Sequence, residues 1–291
     1  MVQSAAELSL FLKARRDALA PEDVGLPGGI NRRRVRGLRR EEVAQLAGVS
    51  VDYYTRIEQG RGGAVSDEVL QALARALVLS ADERRYLHNL AGNAVRRSTR
   101  AARPAEPCTP PDVPRQTVRP ELHALLHAMA GVPAAVLGRG LDILAWNPLM
   151  GRLWPGLDDL PEAELNLPRL LFTDPGTAAL HADAGLLRAE VVARLRADTG
   201  RDPEEPRLCA VVTGLQRSSA LFRELWEARE VKEAPNGAHR LRHPRVGELD
   251  LYFEKLPLPA DPGRFLLVYS PEPGSASEER LRLLASAEQP A

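Results

Sequence analysis

The sequence predicts two domains of different class, an all-α helix-turn-helix bundle followed by an α+β domain with a five-stranded antiparallel sheet. Three observations predict it. Residues 37–61 read GLRREEVAQLAGVSVDYYTRIEQGR, two short stretches of helical periodicity on either side of Gly48. Residues 96–120 hold six prolines and almost no large apolar residue, which reads as a semi-rigid extended linker. Beyond it, Leu249, Leu251 and Phe253 alternate with Glu248, Asp250, Tyr252 and Glu254, the period of a half-buried strand. The resulting boundaries are 1–95, 96–120 and 121–291.

The elements follow in order. Leu8, Phe11, Leu12, Ala18 and Leu19 recur at helical spacing and form the first helix. Glu41–Ala47 is a second, with Val43, Leu46 and Ala47 turned toward a core. Gly48 takes the sharp turn, where the absence of Cβ makes positive φ cheap. Val49 plugs the turn and Ser50 stands at the N-cap, its hydroxyl ready to accept from a free amide. Val51–Gln59 is a third helix, with Tyr54 and Ile57 inward and Gly60 at its end. Ser66 and Ser80 cap two more, carrying Val69, Leu70, Leu73 and Leu77, then Leu87 and Leu90.

In the second domain, Ala134–Leu137 and Leu141–Trp146 flank Gly138-Arg139-Gly140 and predict a hairpin. Residues 160–230 read as mainly helical, and strands are expected at 238–243, 247–256 and 264–270. Two strands, then helices, then three strands give a sheet with helices on one face, the topology of a PAS-like sensor domain. Ser275 and Glu278 form a capping box for a closing helix.

Charge is divided as the domains are. The chain holds 39 basic and 39 acidic residues, yet residues 1–103 carry 18 against 12, a net of +6, which leaves −6 for the remainder. The surplus gathers in Asn31–Arg40, NRRRVRGLRR, whose arginines include Arg33, Arg34, Arg39 and Arg40. A run of guanidinium groups abutting a helix-turn-helix is the expected electrostatic footprint of duplex DNA. The outward edge of the third helix, with Ser50 at its cap followed by Val51, Asp52, Tyr53 and Arg56, is then the reading edge. Arg56 is the direct reader of choice, because guanidinium pairs bidentately with guanine. Tyr53 suits a phosphate contact equally well.

Other classes are disfavoured. No GxSxG, P-loop or GxGxxG context occurs, so an enzyme is not expected. His123 and His127 are four apart on a helix but lack a third ligand, so neither metal nor other cofactor is expected. Cys108 and Cys209 are isolated, with no paired spacing; no disulfide is suggested and a reducing cytoplasm is the expected compartment. No apolar run reaches the roughly 20 residues that span a bilayer.

The stretches RRRVRGLRREEVAQLAGVSVDYYTRIEQGR, SDEVLQALARALVLSADERRYLHNLAG, VLGRGLDILAWN, NLPRLLFTDP, LFRELWEAREV, RHPRVGELDLYFEKL and LLVYSPEPGS carry a likeness. In that order they resemble the MmyB-like transcriptional regulators, a branch of the Xre (lambda-repressor-like) helix-turn-helix proteins. The resemblance implies a dimerising DNA-binding domain on an inverted-repeat operator, joined to a PAS-like domain that accepts fatty-acid-like molecules. It also implies that Arg40 caps or meets phosphate and that Arg61 meets the DNA backbone. The chain departs from the family at Gly140-Leu141, where an aromatic residue is common, and in its proline-rich linker.

For the effector an apolar pocket with few polar groups is expected. The candidates are Trp146, Asn147, Arg169, Phe172, Arg223, Trp226, His243 and Tyr252, with Trp146 closing the pocket and Arg169 or Arg223 holding a carboxylate. Core packing serves each tryptophan as well, a helix cap suits Asn147, and His243 before Pro244 suits a turn brace. The competing reading of this domain is a protein-interaction or dimerisation module without a small ligand.

Overall fold

The computed structural model of the protein describes residues 4–27, 37–99 and 116–286. The chain packs as two compact units. The first comprises Met1–Thr109 with Arg196–Glu205 and Leu225–Glu233, and the second comprises Pro110–Leu195, Pro206–Glu224 and Ala234–Ala291. A single cut at the proline-rich segment therefore does not divide the chain, which rejoins the first unit twice. No helix among the described residues is long and apolar enough to cross a membrane.

The first unit is built on α1 (Ser4–Ala18), α2 (Arg40–Ala47), α3 (Val51–Glu58), α4 (Asp67–Ala76) and α5 (Ala81–Thr99). Its core gathers Phe11, Leu12, Leu38, Val43, Tyr54, Ile57, Leu73 and Leu87, joined by Ala197 and Val231 from far along the sequence. Leu46 is 37 % exposed; Ala44, which the expected stripe omitted, is buried in its place. The caps are as the sequence predicts. Ser66 Oγ accepts from Val69 N at 3.4 Å. Ser80 makes a full capping box, its N–H donating to Glu83 Oε2 at 2.8 Å and its Oγ accepting from Glu83 N at 3.3 Å. Helix α5 runs on to Thr99, into the segment expected to be linker.

A buried ionic cluster completes this unit. Glu7 accepts from Arg229 Nη1 at 2.8 Å, from Tyr86 Oη at 3.1 Å and from Arg196 Nη1. Arg196 is fully buried and stacks 4.2 Å over the ring of Trp226. Trp226 thus serves the core of the first unit, and the effector role expected of it is not supported by its position.

The second unit opens with α6 (Pro120–Ala128), then β1 (Ala134–Leu137) and β2 (Ile143–Trp146). The hairpin turn is longer than the three residues expected: Arg139–Leu141 form a 3-10 turn, with Gly140 and Leu141 both at positive φ. Then come α7 (Pro148–Leu153), α8 (Leu167–Thr173), α9 (Pro175–Leu180), α10 (Ala184–Arg201), α11 (Pro206–Ser218) and α12 (Ala220–Glu227). Strands β3 (Asn236–His243), β4 (Gly247–Pro257) and β5 (Phe265–Pro271) and helix α13 (Ala276–Ser286) close the chain. The sheet has five strands in the order β2-β1-β5-β4-β3, all antiparallel.

Along β4 the burial alternates as the sequence predicts, Leu249, Leu251 and Phe253 in, their neighbours out. Both faces of β1 are buried. On one, α6 supplies Leu126 against Ala134, Val136, Ala145 and Leu266, so helices do not occupy a single face as expected. Cys209 lies on α11, and Cys108 lies outside the described residues.

Candidate functional site

The helix-turn-helix is set by local contacts first. Gly48 adopts φ 67° and Ser50 Oγ accepts from Tyr53 N at 3.1 Å, which starts α3. Gly37 lets the segment before α2 lie directly on α1: a Cβ there would meet Asp17 Cα at 2.5 Å and Arg16 O at 2.7 Å. Leu38 N donates to Arg16 O at 3.0 Å, and Arg16 Nη1 donates to Leu38 O at 2.7 Å.

One carboxylate then ties three helices together. Glu58, 3 % exposed at the end of α3, accepts from Arg16 Nε of α1 at 2.6 Å and from Arg40 Nε of α2. Tyr54 Oη donates to it at 3.3 Å. Burial alone raises the Glu58 carboxyl, but the hydrogen bonds and charges of Arg16 and Arg40 outweigh it and hold it below the usual range. Burial and the Glu58 charge push the Tyr54 phenol up, so the ring stays a donor.

On this frame the outer edge of α3 presents Val51, Asp52 and Arg56 to solvent, and Arg61 follows exposed beyond Gly60. Tyr53 is half-buried and packs against the core, so only part of its ring remains on that edge. Arg39 is exposed at the N-cap of α2, where its own N–H donates to Glu42 Oε2 at 2.7 Å. Arg40 keeps an exposed flank, but its pairing with Glu58 gives it a positioning role beside any phosphate contact. Arg33 and Arg34 lie outside the described residues.

The second unit holds a recess between α10 and the sheet. Leu187, Glu190, Val191 and Arg194, spaced one helical turn apart, line it from α10. Leu137, Phe265, Leu267 and Tyr269 line it from β1 and β5, His239 from β3, Lys255 from β4, and Leu141, Trp154, Leu167 and His181 complete the wall. About 30 Å³ is enclosed, while the recess counted with its open mouth is about 490 Å³. The smaller figure is the room available without side-chain movement, enough for about two waters.

The polar groups of this wall are unusual. Trp154 Nε1, His181 Nε2 and His239 Nε2 are buried without a hydrogen-bond partner among the described residues. His239 Nδ1 lies 3.0 Å from Tyr269 Oη. Burial, aided by the neighbouring His239, pushes His181 down to about 3. Burial, aided by the charge of Lys255, pushes His239 down to about 4. Both imidazoles are therefore neutral near pH 7.

None of the eight expected effector residues lines this recess. Trp146 donates from Nε1 to Asp158 Oδ1 at 2.7 Å. Asn147 is fully buried as the cap of α7, accepting from Met150 N and Ala134 N and donating to the carbonyls of Met129 and Val132. Arg169 is exposed on α8, and Arg223 is exposed with Nη1 on the Gln216 carbonyl at 2.7 Å. Phe172 packs edge-on to Phe222 at 5.2 Å, a helix–helix contact. His243 braces the turn after β3, Nε2 against Arg152 O at 2.9 Å and Nδ1 accepting from Arg245 N at 3.2 Å. Tyr252 is 49 % exposed, on the opposite face of β4 from Leu251 and Phe253. Each of these side chains is instead held by a nearby structural partner, packed against a neighbouring helix or turned to solvent.

A signal for the lining of this recess was present in β3, where His239, Leu241 and His243 alternate with Arg240 and Arg242. The period of two puts His239 on the inner face, opposite Leu251. Trp154 and His181 lie just past helix ends, where no periodicity marks a direction.

Two family models match the chain. Residues 7–87 match a helix-turn-helix domain. Residues 118–284 match the MmyB-like transcription regulator ligand binding domain. No curated relative matches the chain. The second match spans more than half of the 291 residues and contains the whole recess, and the first contains α2, the turn and α3. A DNA-binding motif and a ligand-binding domain stand in one chain, and by these matches it belongs to the MmyB-like transcription regulators.

Proposed function

We propose that the protein is an Xre-type, sequence-specific regulator that binds an inverted-repeat operator as a homodimer and senses a lipophilic, fatty-acid-like effector, with the cytoplasm as its compartment. The recess carries this reading: its leucine, valine and phenylalanine lining suits an acyl chain, and Arg194 and Lys255 stand in the same wall. They join Arg169 and Arg223 as candidate partners for a carboxylate. An acyl chain needs more than the enclosed space, so binding parts α10 from the sheet. A ligand that favours the parted arrangement shifts the population of DNA-binding states.

Calorimetric titration of delipidated protein with saturated acids from octanoic to hexadecanoic is the test. Burial contributes about 0.8 kcal/mol per CH₂ before ordering and opening costs, so affinity is expected to climb with length until the recess is full. Absence of binding at every length would leave the interaction-module reading in front.

On the DNA side, Arg33, Arg34, Arg39, Arg40 and Arg61 are proposed to meet phosphate, and Ser50, Val51, Asp52, Tyr53 and Arg56 to face the major groove. Arg56→Ala is expected to cost about 1–3 kcal/mol on the specific site and to relax one base position. Arg33→Ala should weaken all sequences alike and flatten the salt dependence. Footprinting is expected to show two half-sites about one helical turn apart. Equal losses on specific and random DNA would reduce Arg56 to a phosphate contact.

A further inference from the structure

We infer that the effector carries a neutral acceptor oxygen within its apolar body, a keto, ester or lactone carbonyl, recognised by Trp154, His181 and His239. The inference rests on the reading of the recess as the effector site and narrows the class of molecule that fits it.

A saturated hydrocarbon chain needs only apolar walls. This recess has more. Trp154 and His181 meet edge-on at 6.4 Å, and His181 and His239 at 5.8 Å, so the three rings form one contiguous stretch of wall. Trp154 is 5 % and His181 4 % exposed, and the unpartnered nitrogens are buried in all three. Buried polar atoms are nearly always paired, and a donor left unpaired is costly.

The character of two of these atoms follows from chemistry. An indole N–H only donates. Tyr269 is 1 % exposed and its hydroxyl lies 3.0 Å from His239 Nδ1; we assign the hydroxyl as the donor, because the opposite tautomer would leave its hydrogen buried without an acceptor. That places the hydrogen of neutral His239 on Nε2 and makes it a second donor. Two uncharged donors in one apolar wall match an uncharged acceptor such as a carbonyl oxygen. His181 Nε2, in either tautomer, offers a third polar contact beside them.

A site built around hydrogen-bonding groups rejects an analogue lacking the partner far more strongly than an apolar pocket discriminates size. The full-length, delipidated protein is therefore titrated with hexadecanoic acid and with a series of oxo-hexadecanoic acids whose carbonyl is walked along the chain. At least one oxo isomer is expected to bind about ten-fold or more tighter than the plain acid. Trp154→Phe removes the indole donor and keeps a ring, and His239→Asn keeps an acceptor for Tyr269 while deleting Nε2. Each should bring the ratio of the two affinities close to one. Plain acid bound as well as every oxo isomer by the native protein would overturn the inference while leaving the acyl-binding reading intact. Failure of every acid to bind would overturn both.

Discussion

Glu58→Ala is expected to destabilise the first unit by up to about 3–5 kcal/mol, because it takes from the buried Arg16 guanidinium its most buried partner and leaves it only the Leu38 carbonyl and the half-exposed Asp17. Arg16 is 7 % exposed and its Nε faces Glu58 Oε1 at 2.6 Å, so no solvent compensates for the lost carboxylate. Domains are stable by about 5–15 kcal/mol, and a loss of this size unfolds a large fraction of molecules under mild denaturant. Urea unfolding followed by circular dichroism checks it. The double variant Arg16→Met/Glu58→Leu distinguishes a lost pair from a lost shape: removing both charges is expected to recover most of the stability. A single-variant loss under about 1 kcal/mol would show that the pair is an exposed-type ion pair despite its burial.

Acidification is the second large effect, and it acts on the ligand-binding unit. His181 and His239 are pushed down to about 3 and 4 in the folded protein, against an ordinary value of about 6.5 in the unfolded chain. Between those limits the unfolded state binds protons that the folded state refuses. Stability is therefore full above about pH 6.5 and falls as the pH drops toward 4. Each histidine contributes about 1.4 kcal/mol per pH unit in that window, so going from pH 7 to 5 is expected to cost about 4 kcal/mol for the two. His243, also held down by burial, acts in the same direction. The urea midpoint at pH 7 and pH 5 measures the loss, and His239→Asn should make the dependence shallower. A midpoint that is unchanged or higher at pH 5 would contradict the buried, neutral state of these rings.

The DNA-binding motif was legible because its determinants are close in sequence. Gly48 needs positive φ, Ser50 needs to cap α3, and Tyr54 and Ile57 need one face, all within about three turns of chain. The same holds for β4, whose alternation alone sorts its residues between core and solvent. Leu46 is the exception. At about 100° per residue, Val43, Ala47 and Ala44 share one arc of α2 that faces the core, and Leu46 falls outside it.

The recess was illegible for the complementary reason. Its wall comes from β1, β3, β4, β5, α8, α10 and the ends of α7 and α9, brought together by strand order and register. Among tryptophans, sequence alone offered no way to prefer Trp154 over Trp146, whose indole is spent on Asp158 twelve residues on. The return of Arg196–Glu205 and Leu225–Glu233 to the first unit was equally hidden, since the pairing of Arg196 with Glu7 spans 189 residues. By itself, then, the sequence determined the helix-turn-helix, the order of strands and helices, and the class of regulator, because short-range hydrogen bonds and periodic burial act between near neighbours. The tertiary structure alone decided which side chains meet around the recess and which carboxylates bury which arginines, because such contacts depend on packing between segments that no local pattern connects.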